Sequence, residues 1–172
     1  MPMIPFMERF PELGARETRS ATITQQPDLP DGEYGFVELY CNEPGCDCRR
    51  VTINVLRPET GWSKVWATIS YGWESADFYR GWSKAGGDPV DMQGPCLDPI
   101  NAQTKYSPAL IDLFRLILQS SEYVERLKRH YWMFRDTVER GDGRRSVLEA
   151  NRRIENRRMR LRDPRRRRRH SH

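Results

Sequence analysis

The stretch EYGFVELYCNEPGCDCRRVTINVL, residues 33–56, places three cysteines between two segments that are typical of β-strands. Residues 33–40 are rich in aromatic and apolar side chains, and Arg50–Leu56 alternates apolar and polar residues with a period of two. The Pro44-Gly45 pair between these segments is a turn signal. The stretch therefore predicts an antiparallel hairpin whose connection carries the cysteines.

A third strand follows the hairpin along the chain. Residues 62–71 (WSKVWATISY) again alternate, and the RPETG turn at 57–61 separates them from the second strand. Strands that follow one another through short connections usually pair with their sequence neighbours. We therefore predict a small antiparallel β-meander over residues 33–71.

A long helical segment is predicted from Ser107, with Ser107 as N-cap and Pro108 at the first helical position. Its apolar residues form a heptad-like stripe with gaps of three and four. The stripe consists of Leu110, Leu113, Ile117, Val124, Leu127, Tyr131, Phe134 and Val138. The segment is either one helix, long enough to reach a partner or form a coiled coil, or two helices divided at Ser120-Ser121.

These elements predict an α+β fold, in which the meander and its zinc-knuckle-like turn pack against the C-terminal helix. Within the 172 residues we expect an irregular N-terminal arm (1–32), an α+β domain (33–140) and an Arg-rich tail (141–172). The tail is expected to be a marginal helix or disordered, since its arginines repel one another. Only 37% of the residues are hydrophobic and 31% are charged, which agrees with one core and polar appendages.

The cysteines of the turn predict a metal site. Cys41 ends the first strand, and Cys46 and Cys48 precede the second, so a hairpin brings their sulfurs together. Tetrahedral Zn²⁺ needs four ligands, and Cys96, in the QGPCLDP loop, is the remaining thiol. We therefore predict one structural Zn²⁺ per chain on Cys41, Cys46, Cys48 and Cys96. Free thiols and disulfides stay open as alternatives, although disulfides do not suit a reducing compartment.

Other side chains are weaker candidates for a site. Asp47 and Asp98 offer oxygen ligands but are expected to be solvated, and His130 is expected to be a half-exposed helix residue. Aromatic side chains between the third strand and the next loop suggest a ligand groove, although core packing is the favoured explanation. This aromatic set comprises Trp62, Trp66, Trp73, Phe78, Tyr79 and Trp82.

The charge is divided unevenly along the chain. From Arg140 onward there are fourteen arginines and four acidic residues, a net charge of +10, so that the preceding residues carry −5. Guanidinium groups bind phosphates in a bidentate manner, which makes nucleic acid the leading partner of the tail and acidic protein an alternative. The predicted contacts are Arg152, Arg153, Arg157, Arg158, Arg160, Arg162, Arg165, Arg166, Arg167, Arg168 and Arg169.

No common catalytic or nucleotide-binding motif is present, and a closed four-cysteine zinc site has no open position for water. The sequence also has no apolar run of membrane-spanning length and no secretory signal, so we expect a cytoplasmic protein that does not engage membranes. We predict a non-enzymatic, zinc-stabilised binding or adaptor protein whose tail engages nucleic acid or another polyanion. The alternatives are a thiol redox protein or sensor that uses Cys46 and Cys48, and a structural subunit that forms a homodimer, or binds a partner, through the stripe.

Overall fold

A computed structural model of the chain describes residues 3–61, 64–82 and 92–141. Within them one antiparallel sheet consists of β1 (Met3–Pro5), β2 (Arg19–Ile23), β3 (Gly32–Cys41), β4 (Arg50–Leu56), β5 (Val65–Gly72) and β6 (Gly94–Leu97). The helices are α1 (Phe6–Arg9), α2 (Pro11–Glu17), α3 (Ala76–Trp82), α4 (Ser107–Ile117) and α5 (Ser121–Gly141), and a 3-10 turn spans Pro58–Thr60. The predicted α+β class with an antiparallel sheet is confirmed.

The strands β3, β4 and β5 pair in sequence order, as the short connections predict. On the outer edge of β3, β2 pairs with the first half of that strand and β1 pairs with its last three residues. β6 adds to the opposite side of the sheet beside β5. The sequence of β6, GPCL, contains glycine and proline, and it had been expected to be part of a loop. Its pairing with the exposed edge of β5 makes it a strand.

One face of the sheet packs against α4 and α5 and forms the core. Alternate residues of β3, β4 and β5 point to this face because side chains along a strand alternate between its two sides. The wholly buried residues of this core include Tyr34, Phe36, Tyr40, Val51, Ile53, Val55, Ala67, Ile69, Leu110, Phe114, Leu127, Tyr131 and Phe134. The contact between sheet and helices positions the turn between β3 and β4 next to the C-terminal half of α5.

The long helical segment is two helices rather than one. α4 ends at Ile117, and Ser120 accepts hydrogen bonds at the start of α5, from Tyr123 N to its Oγ (3.4 Å) and from Val124 N to its carbonyl (3.2 Å). Ser107 is the first residue of α4 and not its cap, and its Oγ accepts a hydrogen bond from Thr104 N at 2.9 Å. No helix in the described part of the chain has the length and apolar character required to cross a membrane.

The heptad-like stripe packs inside the protein. Six of its members are buried against the chain's own core, namely Leu110, Ile117, Leu127, Tyr131, Phe134 and Val138, while Leu113 and Val124 are partly buried. The break at residues 118–120 reorients the second helix, so that both halves of the stripe cover the sheet. The spacing that suggested a coiled coil therefore arises from packing against a sheet within one chain.

The N-terminal segment differs from the irregular arm that we expected. Between residues 3 and 23 it forms β1, α1, α2 and β2. Phe6 is buried and packs its ring against His130 at a centroid distance of 4.1 Å. The sequence indicates at most a short strand at residues 20–24, where β2 lies. The rest of the order depends on the outer edge of β3 and on α5, which the local sequence does not show. The division of the chain into segments at residues 33 and 140 stays a prediction.

Candidate metal centre

Three cysteines converge in the turn between β3 and β4. Cys41 is the last residue of β3, and Cys46 and Cys48 lie in the turn that leads to β4. The Sγ atoms of these three residues all lie within 4.8 Å of one another. Gly45 has φ of 72°, a left-handed conformation that costs a glycine little, and it allows the turn to fold the later cysteines back towards Cys41.

The three sulfurs differ in exposure. Cys41 and Cys48 are buried, with 0% and 3% of their surfaces exposed, and Cys46 is partly exposed. Hydrogen bonds from the thiols of Cys46 and Cys48 lower the pKa of Cys41, and a hydrogen bond from Glu43 N lowers it further. Burial of Cys41 partly opposes these effects. Donating to the Cys41 sulfur in turn raises the pKa values of Cys46 and Cys48. A cation that binds here must displace the protons of the thiols that it ligates.

Two charged residues of α5 hold the turn from one side. Arg135 is wholly buried, and its Nη1 donates to the Cys41 carbonyl at 2.9 Å while its Nη2 donates to Glu139 Oε1 at 2.6 Å. The same oxygen of Glu139 accepts a hydrogen bond from Gly45 N at 2.7 Å. The last turns of α5 therefore fix both the end of β3 and the glycine next to Cys46.

Arg49 holds the turn from the other side. Its backbone has φ of 47°, and its N–H donates to Tyr131 Oη at 3.2 Å. Its guanidinium forms salt bridges with Asp47 (3.0 Å) and Glu74 (3.3 Å) and lies over the Phe78 ring at 4.7 Å. These contacts join the turn to α5 and α3, and they fix the backbone on both sides of Cys48. Asp47, considered above as a solvated oxygen donor, is bound to this arginine instead.

Cys96, the fourth predicted ligand, is not brought into the group. It lies on β6 opposite Ser70 of β5, and β4 and β5 separate β6 from β3. Neighbouring strands are about 4.8 Å apart, so three such steps separate β6 from β3 by about 14 Å. The structure thus brings together Cys41, Cys46 and Cys48 of the predicted four, because the residue expected in a returning loop belongs to the far edge strand. Asp98, the other considered oxygen donor, accepts hydrogen bonds from the backbone N–H groups of residues 100 and 101.

His130 is buried, which differs from the half-exposed helix position that we expected. Only 1% of its side chain is exposed; its Nδ1 lies 2.7 Å from Glu38 Oε2 and its Nε2 lies 2.9 Å from Glu17 Oε2. Tyr40 Oη also donates to Glu38 Oε2, at 2.9 Å. A signal for this cluster was present in the sequence, since Glu38 stands between Phe36 and Tyr40 on the core-facing side of β3. A carboxylate at such a position needs a buried partner.

The carboxylate of Glu17 completes this cluster from α2. Burial raises the pKa of Glu17, but the hydrogen bond with His130 and the positive charge of Arg129 outweigh it, so the pKa is lowered from its ordinary value of 4.5. The cluster joins the N-terminal segment, β3 and α5. It meets α5 near the middle of the helix, nine positions before Glu139, and it is a polar contact of the core that the sequence analysis missed.

The predicted aromatic groove is only partly described. Trp66 and Tyr79 are buried, and Tyr79 Oη donates to the Arg49 carbonyl at 2.9 Å, so both have packing roles. Trp62 and the side chain of Trp82 lie outside the described residues.

The described chain does contain a groove of about 680 Å³ on the other face of the sheet. Its lining includes Met7, Val37, Leu39, Asn54, Leu56 and Val65.

The eleven tail arginines predicted to contact nucleic acid lie between residues 152 and 169, outside the part of the chain that the structure describes. Their role stays a prediction from charge alone.

Comparison of the chain with known proteins found no matching family model, no matching curated protein and no matching solved structure. The function of the chain must therefore be inferred from its own residues.

Proposed function

We propose that this chain is a non-enzymatic binding protein whose body is stabilised by one Zn²⁺ on Cys41, Cys46 and Cys48, and whose Arg-rich tail engages nucleic acid. The observation that carries the zinc site is the convergence of the three sulfurs within 4.8 Å of one another. Thiolates are soft ligands, and zinc is the usual occupant of structural cysteine sites in reducing compartments. The contacts of Arg135 and Arg49 support the same proposal, since they fix the turn before any ion binds.

A structural role suits the position of this site. The turn joins the two central strands β3 and β4 to α5, so an ion there would cross-link the sheet to its covering helix. The free energy of binding such an ion adds to the stability of the folded state. The heptad-like stripe supplies no surface to this proposal, because the chain packs most of it into its own core.

The metal content of the purified full chain tests the zinc site. We expect about one zinc per chain in the wild type and much less in Cys41→Ser, Cys46→Ser or Cys48→Ser. Cys96→Ser is the matched control, and it should retain the metal because β6 lies away from the turn. Loss of zinc in Cys96→Ser as well would return that residue to the site, and a metal-free wild type would overturn the proposal.

A thiol redox protein is the second candidate, and the partial exposure of Cys46 beside two buried sulfurs favours it. A peroxide could oxidise the Cys46 thiolate to the sulfenic acid, and attack by a neighbouring cysteine thiolate would then form a disulfide and release water. The two functions differ in how mild oxidant acts on the purified chain. A zinc-bound site should resist the oxidant, whereas a redox site should be metal-free and lose its titratable thiols together.

The tail requires a separate test. We expect the full chain to bind single-stranded DNA with an affinity that falls steeply with salt concentration, because arginines displace counterions from the phosphates. Replacing the five arginines 165–169 by glutamine should weaken binding and reduce the salt slope. Arg115→Gln, which removes an exposed arginine of α4, is the control and should change neither. Equal binding by the glutamine variant would contradict the role of the tail, and binding to poly-glutamate but not to DNA would indicate an acidic protein partner.

A further inference from the structure

The ion of the proposed site needs a fourth donor, since zinc in protein sites is almost always tetrahedral. With Cys96 on the far edge strand, the three sulfurs of the turn supply three donors. The Asp47 carboxylate next to them already accepts hydrogen bonds from Arg49 on both of its oxygens. Among the described residues, a carboxylate of α5 also contacts the turn.

Glu139 of α5 has the required oxygen. Its side chain is 2% exposed, and its Oε1 accepts from Gly45 N and from Arg135 Nη2. Its Oε2 is buried and has no hydrogen-bond partner among the described residues. A buried carboxylate oxygen without a partner is costly, because water is lost and nothing replaces it. The other oxygen of the same carboxylate, Oε1, lies 2.7 Å from the backbone nitrogen of Gly45, the residue before Cys46.

We propose that Glu139 Oε2 is the fourth ligand, which makes the site a Cys₃Glu centre; this inference rests on the proposed zinc site. Ligating carboxylates in proteins are commonly oriented by hydrogen bonds to their other oxygen, and Gly45 and Arg135 provide them here. Glu139 lies outside the set of donors that are all within 4.8 Å of one another. Binding of the ion must therefore draw the carboxylate and the sulfurs together.

The surrounding charges agree with this ligand set. On binding, the cysteine thiols release their protons to solvent, so that three thiolates and one carboxylate surround the divalent ion. The centre then keeps a net negative charge, and the wholly buried guanidinium of Arg135 offsets part of it. The partial exposure of Cys46 marks the side from which the ion enters. With Glu139 bound, no position would remain open for water or for an added ligand.

Cobalt in place of zinc tests the fourth position in the full chain. We expect the wild type to bind one Co²⁺ with a tetrahedral absorption spectrum that does not change when 2-mercaptoethanol is added. Glu139→Gln should bind the ion at least about 10-fold more weakly, since loss of an outer-shell partner alone costs about 10- to 100-fold. Its spectrum should gain sulfur-to-cobalt absorption with the added thiol, which takes the vacated position. Glu125→Gln is the matched control, since Glu125 is an exposed carboxylate of the same helix, and it should behave as the wild type.

Each other outcome has a separate meaning. If 2-mercaptoethanol changes the wild-type spectrum, the fourth position is open and Glu139 is not a ligand; this measurement needs no variant, so misfolding of Glu139→Gln cannot obscure it. If Glu139→Gln matches the wild type in both affinity and thiol response, the assignment is also wrong, while the three-cysteine site stands. If the wild type binds neither zinc nor cobalt, the proposed zinc site itself fails and the ligand assignment fails with it.

Discussion

Replacing His130 by leucine should destabilise the protein far more than an ordinary surface substitution. The imidazole is 1% exposed and lies 2.7 Å from the carboxylate of Glu38, which is itself 4% exposed. Leucine fills most of the same space but leaves Glu38 with the hydroxyl of Tyr40 as its remaining partner among the described residues. Removing one partner of a buried hydrogen bond so that the other group is left unsatisfied costs about 1–3 kcal/mol. We therefore expect the free energy of unfolding to fall by about that amount.

Urea denaturation at about pH 7, followed by far-ultraviolet circular dichroism, measures this change. Arg129→Leu is the matched control, because it removes a 54% exposed partner of Glu17 from the neighbouring position and should cost about 0–1 kcal/mol. The double variant His130→Leu/Glu38→Leu should recover part of the lost stability, since it removes the unsatisfied carboxyl group as well. Protein samples must have the same metal content, so that the metal site does not contribute to the difference.

Two results would refute the reasoning about this cluster. The first is a cost of His130→Leu below about 1 kcal/mol, equal to that of Arg129→Leu, which would mean that the carboxylate of Glu38 is not held by the imidazole. The second is a double variant with Glu38→Leu that is less stable than His130→Leu alone. In that case the lost stability would come from packing against Phe6 rather than from an unsatisfied carboxyl group.

Three further predictions concern the core, the pH dependence and the turn. Phe114→Ala should cost about 3–5 kcal/mol in urea denaturation because the ring is wholly buried, whereas Leu116→Ala on the exposed side of the same helix should cost less than about 0.5 kcal/mol. The pKa of Glu17 is lowered from 4.5 in the folded chain, so its contribution to stability is complete above that value and is lost as the pH falls through the lower folded pKa. The stability difference between wild type and Glu17→Gln, measured by urea denaturation between about pH 6 and pH 3, should therefore shrink at acidic pH. Gly45→Ala should cost about 1–2 kcal/mol and lower the zinc content, since alanine disfavours φ of 72°.

Each of these has an outcome that would contradict it. Equal costs for the alanine variants of Phe114 and Leu116 would mean that α4 does not pack as described. A stability difference for Glu17→Gln that grows as the pH falls would reverse the sign of its interaction with the basic partners. Unchanged stability and metal content in Gly45→Ala would show that the turn does not need a left-handed residue.

The hairpin that carries the three cysteines could be predicted from the sequence. The alternation in Arg50–Leu56 and the Pro44-Gly45 pair predicted the hairpin, and the hairpin alone brings Cys41, Cys46 and Cys48 together. The Ser120-Ser121 pair indicated where the long helical segment could divide, but the sequence left one helix and two helices open. Such features depend on neighbouring residues, on strand periodicity and on helix capping, so a single sequence expresses them directly.

Contacts between segments that are far apart in the sequence could not be predicted from local sequence patterns. β6 is a strand because it pairs with the edge of β5, and that pairing moves Cys96 away from the turn. The position of Glu139 beside Gly45 depends on how α5 packs across the sheet, although the two residues are 94 positions apart. His130 is likewise buried by Phe6 and Glu38, neither of which is near it in sequence.

The sequence by itself determined the antiparallel hairpin, the class of the fold and the group of three cysteines, because each follows from periodicity and turn chemistry within a short stretch. Only the tertiary structure decided that Cys96 lies apart from that group and which polar side chains are buried. The physical reason is that burial and pairing depend on elements meeting in space, and many arrangements of those elements satisfy the same local pattern.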